Sequence, residues 1–329
     1  MLADFVRLED TMEVMDQMAT LASVLQAIGN TPLVQLGSIV PVGSARVLVK
    51  LEGLNPTGSY KDRMALAKIE RAERRGDLKP GDTVVEFTGG STGTSLAFVC
   101  AVKGYRFRVV SSDAFSQEKL ATMAAFGAEV TVVPSHGRGI NADLMGKMRS
   151  IVEDMAAQDG VYWTRQFENR DALDGYAVIG DELLAQVEGR IDAFCGGVGT
   201  AGMLMGVSRE LRAADPRTRI VLLEPASSPV ISRGETGSHR IEGVGAGFRP
   251  PLLDDGMFDE ARGIDEDEAR ETARRLAREE GIFGGTSSGM NVTGALQLAR
   301  ELGPDAIVVT VICDTGLKYL AGDLFRPDA

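Results

Sequence analysis

One lysine carries the strongest chemical signal in this chain, because of the segment that delivers it: Asn55-Pro56-Thr57-Gly58-Ser59-Tyr60-Lys61-Asp62-Arg63. Pro56 and Gly58 are turn formers, and the residues from Met64 to Arg75 run without a breaker until Gly76. Ala65, Ile69 and Ala72 recur at helical spacing, so an amphipathic helix is predicted with Lys61 in its first turn. The partial positive charge of a helix N-terminus disfavours an ammonium there and pushes its pKa toward the neutral amine. A neutral amine attacks carbonyls to form a Schiff base. A lysine at a helix start is ordinarily just solvated, so the reading needs support from elsewhere in the chain.

Several other loops are rich in glycine and hydroxyl groups. Thr88-Gly89-Gly90-Ser91-Thr92-Gly93 falls between a predicted strand and a predicted helix, where successive backbone N–H groups suit a carboxylate or phosphate; a plain tight turn fits equally well. Gly197-Val198-Gly199-Thr200-Ala201-Gly202 reads as G-x-G-x-x-G, and Glu224 closes the next strand where a dinucleotide enzyme places its ribose-binding acid. Gly285-Thr286-Ser287-Ser288-Gly289 has the hydroxyls of a helix N-cap. The long loop from Pro225 to Pro251 contains Gly243-Val244-Gly245-Ala246-Gly247-Phe248 and the cations Arg233, His239 and Arg240. Such loops are commonly lids, and these cations suit either a solvated face or an anionic leaving group such as phosphate.

The elements that must position these loops alternate regularly. Strands are predicted at 47–51, 83–87, 107–110, 129–133, 161–164, 191–195, 220–224 and 306–312. Helices are predicted from Thr94, Gln117 and Gly202 and near 142–157, 172–187, 266–280 and 288–301. Strands separated by helices imply an α/β protein of twisted, mostly parallel sheets with helices on both faces. Ligands bind such sheets beyond the C-terminal strand ends, where the glycine-rich loops lie. Upstream, Met15, Met18, Ala22 and Leu25 form a helical stripe, suited to core packing or to lying across a partner subunit.

Composition excludes several classes. With 329 residues, 44% hydrophobic and 25% charged, the chain has the make-up of a soluble globular protein with room for two sub-domains. A net charge of −12 without a basic cluster argues against nucleic acid, and no run approaches the roughly 18 apolar residues of a membrane span. Cys100, Cys195 and Cys313 are far apart in apolar runs, the pattern of reduced cysteines in a cytoplasmic protein. His136 and His239 are the only histidines, which leaves little material for a zinc site or a Ser-His-Asp hydrolase; no metal is expected.

The stretch from Lys50 to Arg63 closely resembles the cofactor-lysine segment of the cysteine synthase family, the fold type II pyridoxal-phosphate enzymes. The likeness extends in order from about Gly29 to Leu320. Thr88 to Gly93 resembles the family's substrate-carboxylate loop Thr-Ser-Gly-Asn-Thr-Gly, with Gly89 and Ser91 departing; Ser91 stands where an asparagine contacts the cofactor's phenolic oxygen. Gln166-Phe167 matches a Gln-Phe whose glutamine touches the substrate carboxylate. Gly199-Thr200-Ala201-Gly202-Met203 resembles the phosphate cup Gly-Thr-Gly-Gly-Thr, with Ala201 and Met203 departing and a hydroxyl lost at Met203. The run from Gly243 resembles Gly-Ile-Gly-Ala-Gly-Phe at the mouth of the site. Ser287 matches the serine that bonds the pyridine nitrogen, and Asp314 to Leu320 is similar to the family's C-terminal segment.

The resemblance implies pyridoxal 5'-phosphate on Lys61, held by Ser91, Gly199 to Met203 and Ser287. It implies a substrate carboxylate held by Thr88, Gly89, Gly90, Thr92 and Gln166, with Gly243 at the mouth. It also implies two three-layer αβα domains, a smaller mobile one over 55–165 and a larger one over 28–54 plus 166–329, behind a helical extension over 1–27. The cofactor lies between them, in a homodimer with no appended regulatory module. The implied reaction is β-replacement on an activated L-serine, O-acetylserine or O-phosphoserine, by a thiol or sulfide, with Lys61 moving the α-proton. Three alternatives stay open: β-elimination on the same scaffold, a nicotinamide oxidoreductase built on 197–202, and a non-catalytic cofactor-binding relative.

Overall fold

The computed structural model describes residues 20–137 and 142–326. Short apolar runs form ten strands: β1 Leu33–Gln35, β2 Arg46–Leu51, β3 Thr83–Phe87, β4 Arg106–Ser112, β5 Glu129–Val133, β6 Val161–Trp163, β7 Ala193–Gly197, β8 Arg219–Pro225, β9 Glu260–Ile264 and β10 Ile307–Ile312. Among the described residues eight α-helices alternate with them: α1 Lys61–Arg75, α2 Ser91–Lys103, α3 Gln117–Ala125, α4 Ala142–Ala156, α5 Asp171–Gln186, α6 Gly202–Ala214, α7 Glu266–Glu279 and α8 Thr286–Leu302. One sheet has the order β1-β2-β10-β7-β8-β9 and the other β5-β4-β3-β6. Every pairing is parallel except β1 with β2, as the strand–helix alternation predicts.

The larger sheet draws on both ends of the chain. β10 lies between β2 and β7, with Val308 opposite both Val47 and Ala193. The loops that follow β2, β7 and β10 therefore open at the same edge. β7 starts two residues later than predicted, because Asp192 is occupied below it: its carboxylate accepts from Ile307 N at 2.9 Å and its backbone N–H donates to Ile307 O. Two strands escaped prediction. β1 is a three-residue edge beside Pro32, and β9 is a polar edge whose Arg262 pairs with Glu260 and Glu301. Of the N-terminal stripe, Met15 and Met18 lie outside the described residues, and Val24–Ala27 is one 3₁₀ turn capped by Ser23.

The lysine-bearing helix is held from beneath. Ala65, Ile69 and Ala72 are completely buried, and Gly76 ends α1 at φ +77°. Arg63 forms a bidentate pair with Glu52 at 2.7 Å and a second with Glu182 at 2.6 and 2.8 Å. Lys50, fully buried in β2, reaches Glu182 at 2.6 Å and Thr31 O at 2.6 Å. Burial alone would raise Glu182, yet Arg63 and Lys50 bring its pKa down to about 2. Two cations and two anions thus neutralise one another out of water.

Removing one member strands the others. Arg63→Ala is expected to lose about 3–5 kcal/mol of stability, the usual penalty for breaking a buried pair. Urea denaturation of Arg63→Ala beside the parent measures it, and a loss under about 1 kcal/mol would show that water reaches the network.

Candidate active site

Lys61 opens α1 directly after the β2 loop, and Tyr60 occupies the N-cap without a side-chain bond. The loop is braced from within. Asp62, fully buried, accepts from Thr57 N at 2.8 Å and from Thr57 Oγ1 at 2.5 Å, and Asn55 Oδ1 accepts from Gly29 N at 2.8 Å. Ser59 bridges to Asp314, which follows β10. The Lys61 amine donates to Tyr60 OH at 3.0 Å and lies 5.8 Å from the Tyr176 ring centroid.

Burial pushes the Lys61 amine down to about 8, against the pull of Cys313 and Asp314 and with the help of Lys68 and Lys318. The helix-end argument gave the right direction, but desolvation is the larger cause. At pH 7 about a tenth of such an amine is uncharged, far more than for an ordinary lysine.

The glycine-rich loops meet around this lysine. The N-caps of α2, α6 and α8 are Gly90, Ala201 and Gly285, none with a side-chain bond, whereas α3 and α7 are capped by Ser116 and Asp265. Uncapped first turns leave N–H donors for an anion. A Cβ on Gly202 would touch the Tyr176 ring at 3.2 Å, and one on Gly199 would lie 2.3 Å from Gly243 O, so the 197–202 and 243–247 runs need glycine to approach each other. Gly245 N donates to Val198 O at 2.9 Å, and Glu242 N donates to Thr286 Oγ1 at 3.0 Å. Ser287 is buried beside Cys313, whose N–H donates to Ser288 Oγ at 2.9 Å.

The residues expected to grip a carboxylate gather at the end of β3. Glu86, fully buried, accepts from Phe87 N, Trp163 Nε1, Thr164 Oγ1 and Gln166 N. That hub fixes Gln166, whose amide donates to Phe87 O at 2.7 Å, next to Thr88. Thr88 and Thr92 are buried, and Gly90 N donates to Thr88 Oγ1 at 3.3 Å. Gly89 has a specific neighbour: a Cβ there would fall 1.8 Å from Phe115 Cγ. The ring stands where a side chain would, which is why position 89 is glycine.

Other predicted residues are placed less simply. Ser91 Oγ accepts from Lys318 Nζ at 3.3 Å. Thr200 is half-buried in the turn, and Ala201 sits at φ +67°, a conformation that favours glycine. Met203 turns its side chain into the core, so that a Cβ on Gly196 would meet its Cε at 2.7 Å; its backbone alone faces the turn. Arg240 is engaged by Glu266 and Asp267, and His239 faces Gly245 O at 3.0 Å, so neither is free for an anion. Glu224 cannot serve as a ribose acid, because its two oxygens accept from Ile231 N at 2.7 Å and Ser232 N at 2.9 Å. Sequence reasoning missed Tyr60, Tyr176, Phe115, Lys119 and Glu242; Tyr60 and Glu242 adjoin residues it singled out, whereas Tyr176, Phe115 and Lys119 arrive by tertiary packing with no local signal.

This arrangement, a desolvated lysine facing uncapped helix ends where two parallel sheets meet, is that of a pyridoxal-phosphate enzyme, and the family model for pyridoxal-phosphate dependent enzymes matches residues 24–314. A cysteine synthase of Staphylococcus aureus (strain Mu50 / ATCC 700699) is 44% identical over 308 residues, 93% of this chain and 97% of that protein. An O-ureido-L-serine synthase of Streptomyces lavendulae is 40% identical over 306 residues, 92% of each. The crystal structure of a cysteine synthase from Entamoeba histolytica superposes with a TM-score of 0.89 at 31% identity, covering 95% of this chain and 93% of that one. The chain belongs to the cysteine synthase family of pyridoxal-phosphate enzymes.

The residues present fit that cofactor. Lys61 offers an amine that reacts with aldehydes, and the close approach of Gly199 to Gly243 builds a turn of bare backbone. Asp314 Oδ1 is buried near Lys61 and has no hydrogen-bond partner among the described residues.

Two outcomes follow. Cofactor-free protein should take up pyridoxal phosphate at a rate that rises about tenfold per pH unit below 8 and levels above it, as the neutral amine saturates. Stopped-flow absorbance measures this, and a rate still rising steeply at pH 10 would mark an ordinary exposed lysine. Gly89→Ser alone should cost about 1–3 kcal/mol by overpacking against Phe115, and adding Phe115→Ala should recover most of it. Denaturation midpoints of the four proteins in the cycle decide, and strict additivity would refute the clash.

Proposed function

We propose that this enzyme catalyses β-replacement on an activated L-serine, O-acetylserine or O-phosphoserine, with sulfide or another thiol as nucleophile. The desolvated amine of Lys61 carries the proposal, since a lysine held near pKa 8 can both anchor an aldehyde and exchange protons at neutral pH. The relatives named cysteine synthase support the same reading, and the one named O-ureido-L-serine synthase makes the nucleophile the least determined part.

Pyridoxal phosphate, when bound, supplies the electron sink that acidifies the α-proton and activates the β-substituent to leave. Lys61 would hold it, the N–H groups from Gly199 to Met203 would hold its phosphate, and the hydroxyls of Ser91 and Ser287 would serve its phenolic oxygen and its ring nitrogen. Thr88, Gly89, Gly90, Thr92 and Gln166 grip the substrate carboxylate, while Gly243 lines the mouth. The Lys61 Nζ takes the α-proton and later returns it to the same carbon. A neutral partner at Ser287 keeps the ring a modest sink, which suits loss of a β-substituent better than chemistry that needs a lasting carbanion. We also propose that 55–165 closes as a unit over 28–54 plus 166–329, and that the enzyme works as a homodimer.

The test offers O-acetylserine, O-phosphoserine, serine and cysteine in turn, with and without sulfide, following cofactor absorbance and products. Cysteine formation from one of the first two, abolished in Lys61→Ala, is expected. Release of 2-oxo acid with no thiol product would instead assign a lyase.

A further inference from the structure

Side chains from each half of the molecule reach the other. Lys318, in the turn Gly316–Tyr319 after β10, reaches Ser91 at the start of α2. Lys119, in the first turn of α3, crosses in the opposite sense and forms an ion pair with Glu242. Lys119 is only 6% exposed, and its ammonium lies 4.9 Å from the centroid of the Tyr319 ring, whose hydroxyl donates to Asp314 Oδ2 at 2.8 Å. Breaking an ion pair with a buried member leaves the other charge without its partner.

The partner's position gives the pair its interest. Glu242 directly precedes Gly243, and the 242–247 run is otherwise tied to the larger-sheet half, through Thr286 Oγ1, Val198 O and the contact of Gly243 with Gly199. Among the hydrogen bonds and ion pairs of the described residues, Lys119–Glu242 is the tie from this run to the smaller-sheet half.

We propose that Lys119 and Glu242 are a positioning pair for the reaction, holding the 242–247 run over Lys61 and so excluding water while the thiol arrives. This rests on the β-replacement reading above. With the pair broken, water diverts the substrate after its acetate has left, hydrolysing the α-carbon imine where the thiol would have added to the β-carbon: O-acetylserine and one water give acetate, pyruvate, ammonium and one proton, with no oxidant or reductant needed.

The experiment uses the holoenzyme with O-acetyl-L-serine and sulfide, in the parent and in Lys119→Met, Lys119→Arg and Glu242→Gln. Glu242 is 52% exposed, so Glu242→Gln folds even where Lys119→Met is impaired. Expected for Met and Gln are a KM about tenfold higher, kcat within about twofold, and a pyruvate share of product at least about fivefold higher, with Arg near the parent. A KM and pyruvate share within about twofold of the parent in Glu242→Gln would overturn the proposal, whatever happens to the melting temperature. Borohydride reduction and peptide mapping of each preparation separates the two readings. Label on Lys61 with unchanged partition overturns the pair's role alone, whereas an unlabelled parent enzyme overturns the β-replacement reading and the pair with it.

Discussion

The parallel pairing of β10 between β2 and β7 is the constraint on which the site depends. Those strands come from opposite ends of the chain, yet parallel register forces their following loops to one edge. The lysine loop, the 197–202 turn and Asp314 thereby become neighbours, although they are more than a hundred residues apart in sequence. The smaller sheet adds the loops after β3 and β4 in the same way, which brings Ser91 and Phe115 to the cleft. A slip of one residue in the β2–β10 register would turn Lys50 from its buried partners to the opposite face.

Charge burial does much of the remaining positioning. Beneath Lys61, Arg63 and Lys50 meet Glu52 and Glu182, with Thr31 donating to Glu52 at 2.6 Å. Behind the 88–93 loop, Glu86 takes four donors; Lys68 beyond it is fully buried, its Nζ has no hydrogen-bond partner among the described residues, and its pKa is lowered to about 8 by desolvation, opposed chiefly by Glu86. Incomplete versions of either network would leave charge in low dielectric, a penalty of several kcal/mol. Rigidity of the lysine loop and of Gln166 follows from that all-or-none character.

Much of this was legible in the sequence, and the parts that were not share a cause. The α1 stripe of Ala65, Ile69 and Ala72, the strand–helix alternation and the glycine loops are local patterns, and local patterns survive into the fold. Lys50 at the end of a strand and Glu52 just after it look like surface charges, because nothing local reveals Glu182 and Arg63 as their partners. Glu224 has the spacing of a ribose acid, but Ile231 and Ser232 claim its oxygens. β9 is polar enough to pass for loop, since an edge strand needs only one buried face. Spacing locates a residue along the chain, while the direction of its side chain is set by residues far away.

The same distinction explains the departures from the family motifs, which read from sequence as losses. At position 89 the side chain is absent because the Phe115 ring, brought by the loop after β4, fills its space. At position 91 the hydroxyl is short, and Lys318 arrives from the opposite side of the cleft to donate to it. At position 203 the methionine forgoes a hydroxyl and fills the core against Gly196 instead. At 89 and 91 the local deletion is met by a group from a distant element, whereas at 203 a hydroxyl is exchanged for core packing. Ala201 is the exception: it holds φ +67° where glycine would rest without strain, and that strain is tolerable because the turn is clamped by Gly243 on one side and Tyr176 on the other.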